Sequence, residues 1–349
     1  MILMRHNGLR SQVSGLRDNI LDSLRGVAVY LVVFGHLILW LGRSGINIPK
    51  DKFIFDIIYS FHIPFFFMVA GYAHGMKARS LSGNNYLYYF KKFVLDLYIP
   101  GVVFSLIYWS FKYFILTQVN NSANFESVSI NDLYQIPFFG TNQYYFLCTL
   151  FLIKITHTAL EYLFNENKIF IHSAFWILLF ISGHFFNVPL LHMRIFFIQG
   201  LYFHIGYIMK TREILECPKI LYALILICVG VLCCVIPFTN FLTKTGAALC
   251  MSLGLFTLFY SLKINNSFLA LCGANSMIIY CLHNYVIAMF RLIYTFACLS
   301  RLNAPVLMFL LCFVLAVLIP LLVVKIYKRV KFLRWIEYIF YPGELFYKK

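Results

Sequence analysis

Two ionisable side chains stand eleven positions apart in the first apolar run of the sequence: Arg25 opens the run and His36 lies within it. Histidine titrates near neutral pH and can accept the proton of an attacking hydroxyl, whereas a guanidinium binds phosphate through paired hydrogen bonds. An α-helix turns through about 1,100° over this separation, which places both side chains on one face about 16 Å apart along the axis. Ionisable groups at membrane depth are costly and usually functional. The pair therefore predicts a polar helix face that runs from one membrane surface towards the middle.

Both side chains also have structural explanations. Arg25 would serve as an anchor whose stem lies in the apolar region while its charge reaches the headgroups. His36 would form a hydrogen bond between neighbouring helices. Their residue types alone do not decide between catalysis and structure.

The whole chain has the composition of an integral membrane protein. Hydrophobic residues make up 61% of its 349 residues and charged residues 12%, about half the charged share of soluble proteins. The mean hydropathy is +0.79. Apolar runs of membrane-spanning length recur from end to end, which predicts an all-α, polytopic protein embedded in a lipid bilayer.

About ten transmembrane helices are predicted, within a single membrane-embedded domain that covers residues 1–349. The first run has Asp18 and Asp22 as candidate N-caps and ends at Gly42. The aromatic stretch at 84–93 is also compatible with a helix that lies in the membrane interface. The predicted spans are approximately 22–42, 53–76, 95–116, 143–163, 170–187, 190–209, 219–238, 244–262, 268–290 and 305–326.

The distribution of positive charge predicts the orientation in the membrane. Lys and Arg are concentrated in the N-terminal segment, in the loops after the second and sixth runs and in the C-terminal tail, whereas the loop at 117–142 has neither. Both termini are therefore predicted in the cytosol, as a segment at about 1–20 and a tail at 327–349, and Arg25 lies near the cytosolic face. The first loop, which holds three basic residues, is the exception. The net charge of +16 follows from this pattern and requires no nucleic-acid partner.

The ten cysteines do not indicate a metal centre. Most of them lie inside apolar runs, and none forms a CxxC pair or another metal-ligand spacing. A buried free cysteine acts as a small hydrophobic side chain. We therefore expect no metal and no bound cofactor.

Two motifs in the first two runs resemble a known family. Residues 17–26 read RDNILDSLRG and are followed by His36, which is similar to the opening signature of the membrane-bound acyltransferase 3 family. Residues 61–72 read FHIPFFFMVAGY, which resembles the second-span pattern of its polysaccharide O-acetyltransferase and fucose O-acetylase-like branch. Shorter similarities follow in the same order at 145–151, 201–208 and 273–283. The resemblance therefore covers most of the chain.

The resemblance implies acyl transfer from acetyl-CoA, as donor substrate, to a hydroxyl group. It implies that His36 is the essential residue and that Arg25 acts with it. Whether His36 deprotonates the acceptor directly or carries the acyl group covalently stays open. Supporting or acceptor-binding roles are expected for Asp22, Asp56, His62 and His283, although His283, like His204, also fits a packing role.

Donor-binding roles are expected for three basic residues, Arg17, Lys91 and Lys92, which would contact the phosphates of the donor. The family usually carries lysine or arginine shortly before a proline at the start of the third span. In this chain Asp96 stands four residues before Pro100. An acidic side chain at this position would repel a phosphate group.

Two of the supporting residues have structural alternatives. His62 lies close to Pro64 and would bind a backbone carbonyl that the proline ring frees one turn earlier. Asp56 would form an ion pair with Arg43 or Arg194 instead of holding a sugar.

The expected function is that of an integral membrane O-acetyltransferase in the bacterial inner membrane. Its acceptor would be a cell-surface polysaccharide (O-antigen, exopolysaccharide or capsule) or its lipid-linked precursor. Several spans with intramembrane histidine, arginine and aspartate are also compatible with a transporter or flippase for a polar or acylated substrate. A non-catalytic scaffold is disfavoured by the many polar groups at depth. The sugar, the hydroxyl position and the oligomeric state stay open.

Overall fold

The computed structural model describes residues 2–42, 51–76, 86–116, 129–140, 142–164, 169–185, 193–215, 219–235, 241–296 and 304–343. Within these ranges the chain is helical and has no strands. Seven helices are long and apolar enough to cross a membrane, and two shorter apolar helices accompany them. The all-α, polytopic membrane architecture is thereby confirmed, whereas the count of ten spans and the cytosolic termini stay predictions.

Fourteen α-helices are described, and they are numbered here in chain order. They are α1 (Ile2–Gly42), α2 (Asp51–Gly75), α3 (Tyr86–Phe93), α4 (Ile99–Phe111), α5 (Ile136–Phe139), α6 (Tyr145–Phe164), α7 (Ile169–Phe185), α8 (Met193–Thr211), α9 (Ile220–Val235), α10 (Phe241–Ser261), α11 (Ser267–Ala274), α12 (Ser276–Phe296), α13 (Pro305–Arg329) and α14 (Glu337–Phe340).

The first helix, α1, is unbroken from Ile2 to Gly42. Asp18 and Asp22 therefore lie inside the helix, and the prediction that one of them caps its N-terminus is wrong. Because the helix has no break, Arg25 and His36 keep the rotational relationship expected from their spacing, about 16 Å apart along the axis. The α1 helix is thus the element that positions both residues.

The third span is longer than predicted, because the helical path runs without a gap over Tyr86–Ile115. The aromatic stretch before it continues into the span and is not a separate interfacial helix. A π-helical turn, Val94–Tyr98, joins α3 to α4. Pro100 has no N–H to donate to the carbonyl of Asp96, and the N–H of Ile99 bonds to the carbonyl of Val94 across the wider turn.

The ninth predicted span, 268–290, is divided in the structure. Asn275 separates α11 from α12, and the longer helix ends beyond the predicted limit. The Nδ2 of Asn275 donates to the Leu271 carbonyl at 2.8 Å, while the Asn275 carbonyl accepts from the N–H groups of Ile278 and Ile279. A side-chain amide that competes with the helix hydrogen bonds explains the break, which apolar periodicity does not reveal.

Glycines form the contact between α1 and α11. Gly26 of α1 lies against the carbonyl oxygen of Leu269, and Gly273 of α11 lies against the carbonyl oxygen of Asp22. A Cβ at either glycine would overlap the facing oxygen. The two backbones therefore approach with no side chain between them.

The contact between α2 and α8 is also formed by two glycines that face backbone carbonyls. Gly71 of α2 lies against the carbonyl oxygen of Phe203, and Gly206 of α8 lies against the carbonyl oxygen of Met68. Both positions again exclude a Cβ. These two pairs of helices include α1, which carries Arg25 and His36, and α2, which carries His62 and His74.

Candidate functional site

Three predicted site residues, His36, His62 and His283, come together from α1, α2 and α12. The ring centroids of His36 and His283 are 5.3 Å apart. His62 lies close enough to interact electrostatically with His36, near the point where Tyr59 packs against Gly35. His62 and His283 are buried, whereas His36 is partly exposed. These three side chains are called the histidine set below.

Backbone carbonyls determine which ring nitrogen carries the proton in two members of the histidine set. The Nδ1 of His283 lies 3.0 Å from the Ile279 carbonyl, and the Nδ1 of His62 lies 2.8 Å from the Ile58 carbonyl. Because a carbonyl oxygen only accepts, each Nδ1 donates, and each neutral ring keeps Nε2 as an acceptor. Nδ1 of His36 and Nε2 of His283 are buried without a hydrogen-bond partner in the described part of the chain. These two nitrogens are therefore not engaged by another described group.

The carbonyl that His62 binds is not the one that proline frees. A proline removes the hydrogen bond to the residue four positions earlier, which for Pro64 is Ser60. His62 donates to the carbonyl of Ile58. The structural alternative expected for His62, binding of the carbonyl that Pro64 frees, is therefore wrong.

A cavity of about 150 Å³ lies beside Arg25 of α1 and is called the basic cavity. Its basic lining residues are Arg25 of α1, Lys92 of α3 and Lys154 of α6. Asp96 of the π-helical turn and His74 of α2 also line it. Three cationic side chains against one carboxylate favour the binding of an anion.

Two carboxylates at the basic cavity, those of Asp22 and Asp96, lie beside a cation. Nη1 of Arg25 is 2.6 Å from Oδ1 of Asp22, one turn earlier on α1. Nζ of Lys92 is 3.9 Å from Oδ2 of Asp96. Asp22 therefore orients Arg25 beside the basic cavity. The charge of Asp96 is partly balanced by Lys92, which reduces the repulsion expected for a phosphate.

The other two residues expected at the donor site differ from Lys92. Lys91 is exposed and does not line the basic cavity, because neighbouring helix positions point about 100° apart. The expected contact between Lys91 and the donor stays a prediction. The side chain of Arg17 lies outside the described residues.

Asp56 is exposed on α2 and is not part of the histidine set. Of its two expected partners, Arg43 lies outside the described residues. The other, Arg194, donates from Nε to the Gly183 carbonyl at 3.0 Å. The structure thus brings Asp56 neither to the basic cavity nor to the histidine set.

Three charged residues inside the spans were not among the predicted site residues. Lys154 lines the basic cavity, and its Nζ lies 5.3 Å from the ring centroid of Phe93. Lys112 and Arg291 are almost completely buried on the third span and on α12. A charged residue inside an apolar run is a signal that would have singled out all three.

The fold and these residues define an integral membrane protein with a basic cavity and, deeper along α1, the histidine set. The sequence profile of the acyltransferase 3 family, described as an acyltransferase domain, matches residues 18–325. The chain therefore belongs to the acyltransferase 3 family and is a membrane acyltransferase. No curated protein sequence and no solved structure matches the chain.

Proposed function

We propose that the chain transfers an acetyl group from acetyl-CoA to a hydroxyl of a cell-surface polysaccharide or its lipid-linked precursor, in the bacterial inner membrane. The proposal rests on the position of two side chains along one continuous helix, α1. Its Arg25 lines the basic cavity, and its His36 belongs to the histidine set. One unbroken helix thus joins an anion site to a candidate base.

The basic cavity is the proposed site for the phosphate groups of the donor. Arg25 would bind them through its planar guanidinium, held in place by Asp22, while Lys92 and Lys154 supply further positive charge. The thioester of acetyl-CoA stands at the end of a long, flexible pantetheine arm. Such an arm can span the distance of about 16 Å along α1 that separates Arg25 from His36. Entry from the cytosol agrees with the predicted orientation of α1.

The proposed reaction is a direct acyl transfer with His36 as general base. The hydroxyl oxygen of the acceptor attacks the thioester carbonyl carbon while the His36 imidazole accepts the hydroxyl proton. The tetrahedral intermediate then collapses, the carbon–sulfur bond breaks, and the imidazolium returns the proton to the departing thiolate. The products are the O-acetylated glycan and free CoA, and the histidine is regenerated.

The decisive experiment compares His36→Ala with His184→Ala in cells that lack other acetylation of the glycan. His184 is the control, because it is also a histidine on an apolar helix, but its Nδ1 is engaged by the carbonyl of Phe180. Mass spectrometry of surface glycans should show the acetyl increment with the parent chain and with His184→Ala but not with His36→Ala. Acetylation that persists in His36→Ala at normal protein level would contradict the mechanism.

Transport of a polar or acylated substrate is disfavoured by membership in an acyltransferase family. The two functions can be distinguished with the purified protein in sealed vesicles that are supplied with labelled acetyl-CoA. Formation of free CoA that depends on a glycan acceptor supports transfer. Movement of substrate across the vesicle membrane without any cleavage of acetyl-CoA would support a transporter instead.

A further inference from the structure

A second buried cluster of ionisable residues, His74, His157 and Glu161, lies between α2 and α6. One ligand atom from each of the three residues lies within 4.8 Å of the others. Nε2 of His74 is 3.5 Å from Oε2 of Glu161, and Nδ1 of His157 is 3.8 Å from Oε1. The three side chains are between 0% and 8% exposed. His74 lies about 18 Å along α2 from His62, so the cluster is separate from the histidine set.

The atoms that face one another in this cluster have no hydrogen-bond partner within the described ranges. A carboxylate buried in this way is strongly destabilising unless a positive charge compensates it. A proton shared between histidine and glutamate would bring the atoms to about 2.7–2.9 Å. By contrast, two ligands of a tetrahedral metal site with bonds of about 2.1 Å are about 3.4 Å apart. The observed distances of 3.5 and 3.8 Å are nearer to the spacing of metal ligands.

A hydrogen-bonded chain behind His157 provides independent support. Nε2 of His157 lies 3.2 Å from Nδ1 of His204, and Nε2 of His204 lies 3.0 Å from Oγ of Ser173. If Nδ1 of His157 is a ligand, its Nε2–H donates to His204, whose own Nε2–H donates to Ser173. Each ring nitrogen of His157 and His204 then binds the metal, donates a hydrogen bond or accepts one. A histidine ligand that donates its other N–H to a fixed acceptor is the usual arrangement in metal sites.

We propose that Nε2 of His74, Nδ1 of His157 and a carboxylate oxygen of Glu161 bind one divalent transition-metal ion, with Zn²⁺ as the best match. Two imidazoles and one carboxylate are a common zinc ligand set. His157 and Glu161 are four residues apart on α6, the spacing that places two ligands on one helix face. His172 lies close to this group without belonging to it: its ring centroid is 6.0 Å from that of His157, and its Nε2 is buried without a described partner.

The proposed metal site adjoins the basic cavity, because His74 lines that cavity. A divalent ion bound by one carboxylate leaves a net positive charge at the cavity wall, and it ties α2 to α6. Metal binding itself does not depend on which donor occupies the cavity. No metal was expected from the sequence, because its ligands come from two distant spans and share no short motif.

The test measures the metal content of the purified full-length chain, freed of any polyhistidine tag and never exposed to chelator. Inductively coupled plasma mass spectrometry should find about one zinc, or another first-row transition metal, per chain. His157→Gln and Glu161→Gln should each reduce the bound metal at least tenfold. His184→Gln, the matched control, should retain it. Variants that bind as much metal as the parent chain would overturn the assignment.

A second measurement keeps the test decisive if the variants fail to fold. The parent chain is stripped with a chelator and titrated with Zn²⁺, with Mg²⁺ as the control ion. Saturable uptake of one Zn²⁺ per chain, with a rise in Tm that Mg²⁺ does not produce, supports the site. A parent chain that takes up no Zn²⁺ and whose Tm does not respond would show that the cluster holds a shared proton instead.

Discussion

The imidazole rings of His36 and His283 lie with their centroids 5.3 Å apart and their planes inclined at 49°. The contact joins α1 to α12, two helices that are far apart in the chain. The Ile279 carbonyl keeps the proton of the neutral His283 ring on Nδ1, so that Nε2 is left as an acceptor. We therefore expect His283 to position His36 or to share its proton during transfer.

Replacing His283 by glutamine should lower kcat for acetyl transfer by about 10- to 100-fold, because proton transfer through His36 becomes less efficient. The KM for acetyl-CoA should change less than about twofold, since the proposed site for the donor phosphates lies about 16 Å away along α1. Steady-state kinetics of the purified enzyme in detergent checks both values, with His184→Gln as the control. An unchanged kcat with a raised KM would place His283 at the donor site instead.

The two neighbouring lysines of α3 should differ in their effect on donor binding. Lys92 lines the basic cavity, whereas Lys91 is exposed outside it. Lys92→Gln should raise the KM for acetyl-CoA about three- to tenfold, which corresponds to roughly 0.7–1.4 kcal/mol for a partly exposed charge. Lys91→Gln removes the same charge one residue away and should leave KM within about twofold. Equal effects of the two variants would argue for general surface charge and against a specific cavity.

Asp96→Asn should improve donor binding. The variant removes the one carboxylate that lines the basic cavity among three cations. The KM for acetyl-CoA should fall about two- to fivefold at low ionic strength, and the gain should shrink in about 0.5 M salt because the charges are screened. A KM that rises instead would show that Asp96 is needed to hold Lys92 in place.

Gly206→Ala should destabilise the protein, because its Cβ would overlap the Met68 carbonyl of α2. We expect the free energy of unfolding to fall by about 1–3 kcal/mol, the usual range for overpacking. Gly246→Ala is the matched control, since a Cβ there would meet only Sγ of Cys233 at 3.6 Å. Thermal unfolding in detergent should show a clear fall in Tm for the first variant and little change for the second. Similar Tm values for both would mean that α2 and α8 can move apart.

The helix period was sufficient to relate Arg25 to His36, because α1 has no break between them. His62 and His283 were predicted from the family-like motifs, which do not indicate that their side chains lie near His36. That arrangement depends on how three helices pack, which a local period does not contain. The choice between Lys91 and Lys92 likewise depends on which face of α3 meets α1, α2 and α6.

The sequence gives little indication of the proposed metal-binding cluster, of the break at Asn275 or of the wider turn before Pro100. His74 and Glu161 belong to spans that are distant in the sequence, and nothing local relates them. The break at Asn275 depends on a side chain that binds the backbone within an apolar run. The wider turn before Pro100, next to the basic cavity, was not predicted from the sequence and is shown by the structure.

The glycine contacts explain part of the family resemblance in physical terms. Gly26, Gly71, Gly206 and Gly273 all lie in the segments that resemble family motifs. Each of them allows a carbonyl of the partner helix to approach the backbone. These motif positions therefore serve helix packing, whereas the arginine and the histidines between them carry the proposed chemistry.

The same contacts restrict how the molecule can move. Helices that touch backbone to backbone have no layer of side chains whose rotamers could absorb a sliding motion. We therefore expect α1 with α11, and α2 with α8, to move as two rigid bodies. A passage wide enough for a sugar to reach His36 would then open along the seam between these bodies, and α1 would carry both of its functional side chains through the movement together.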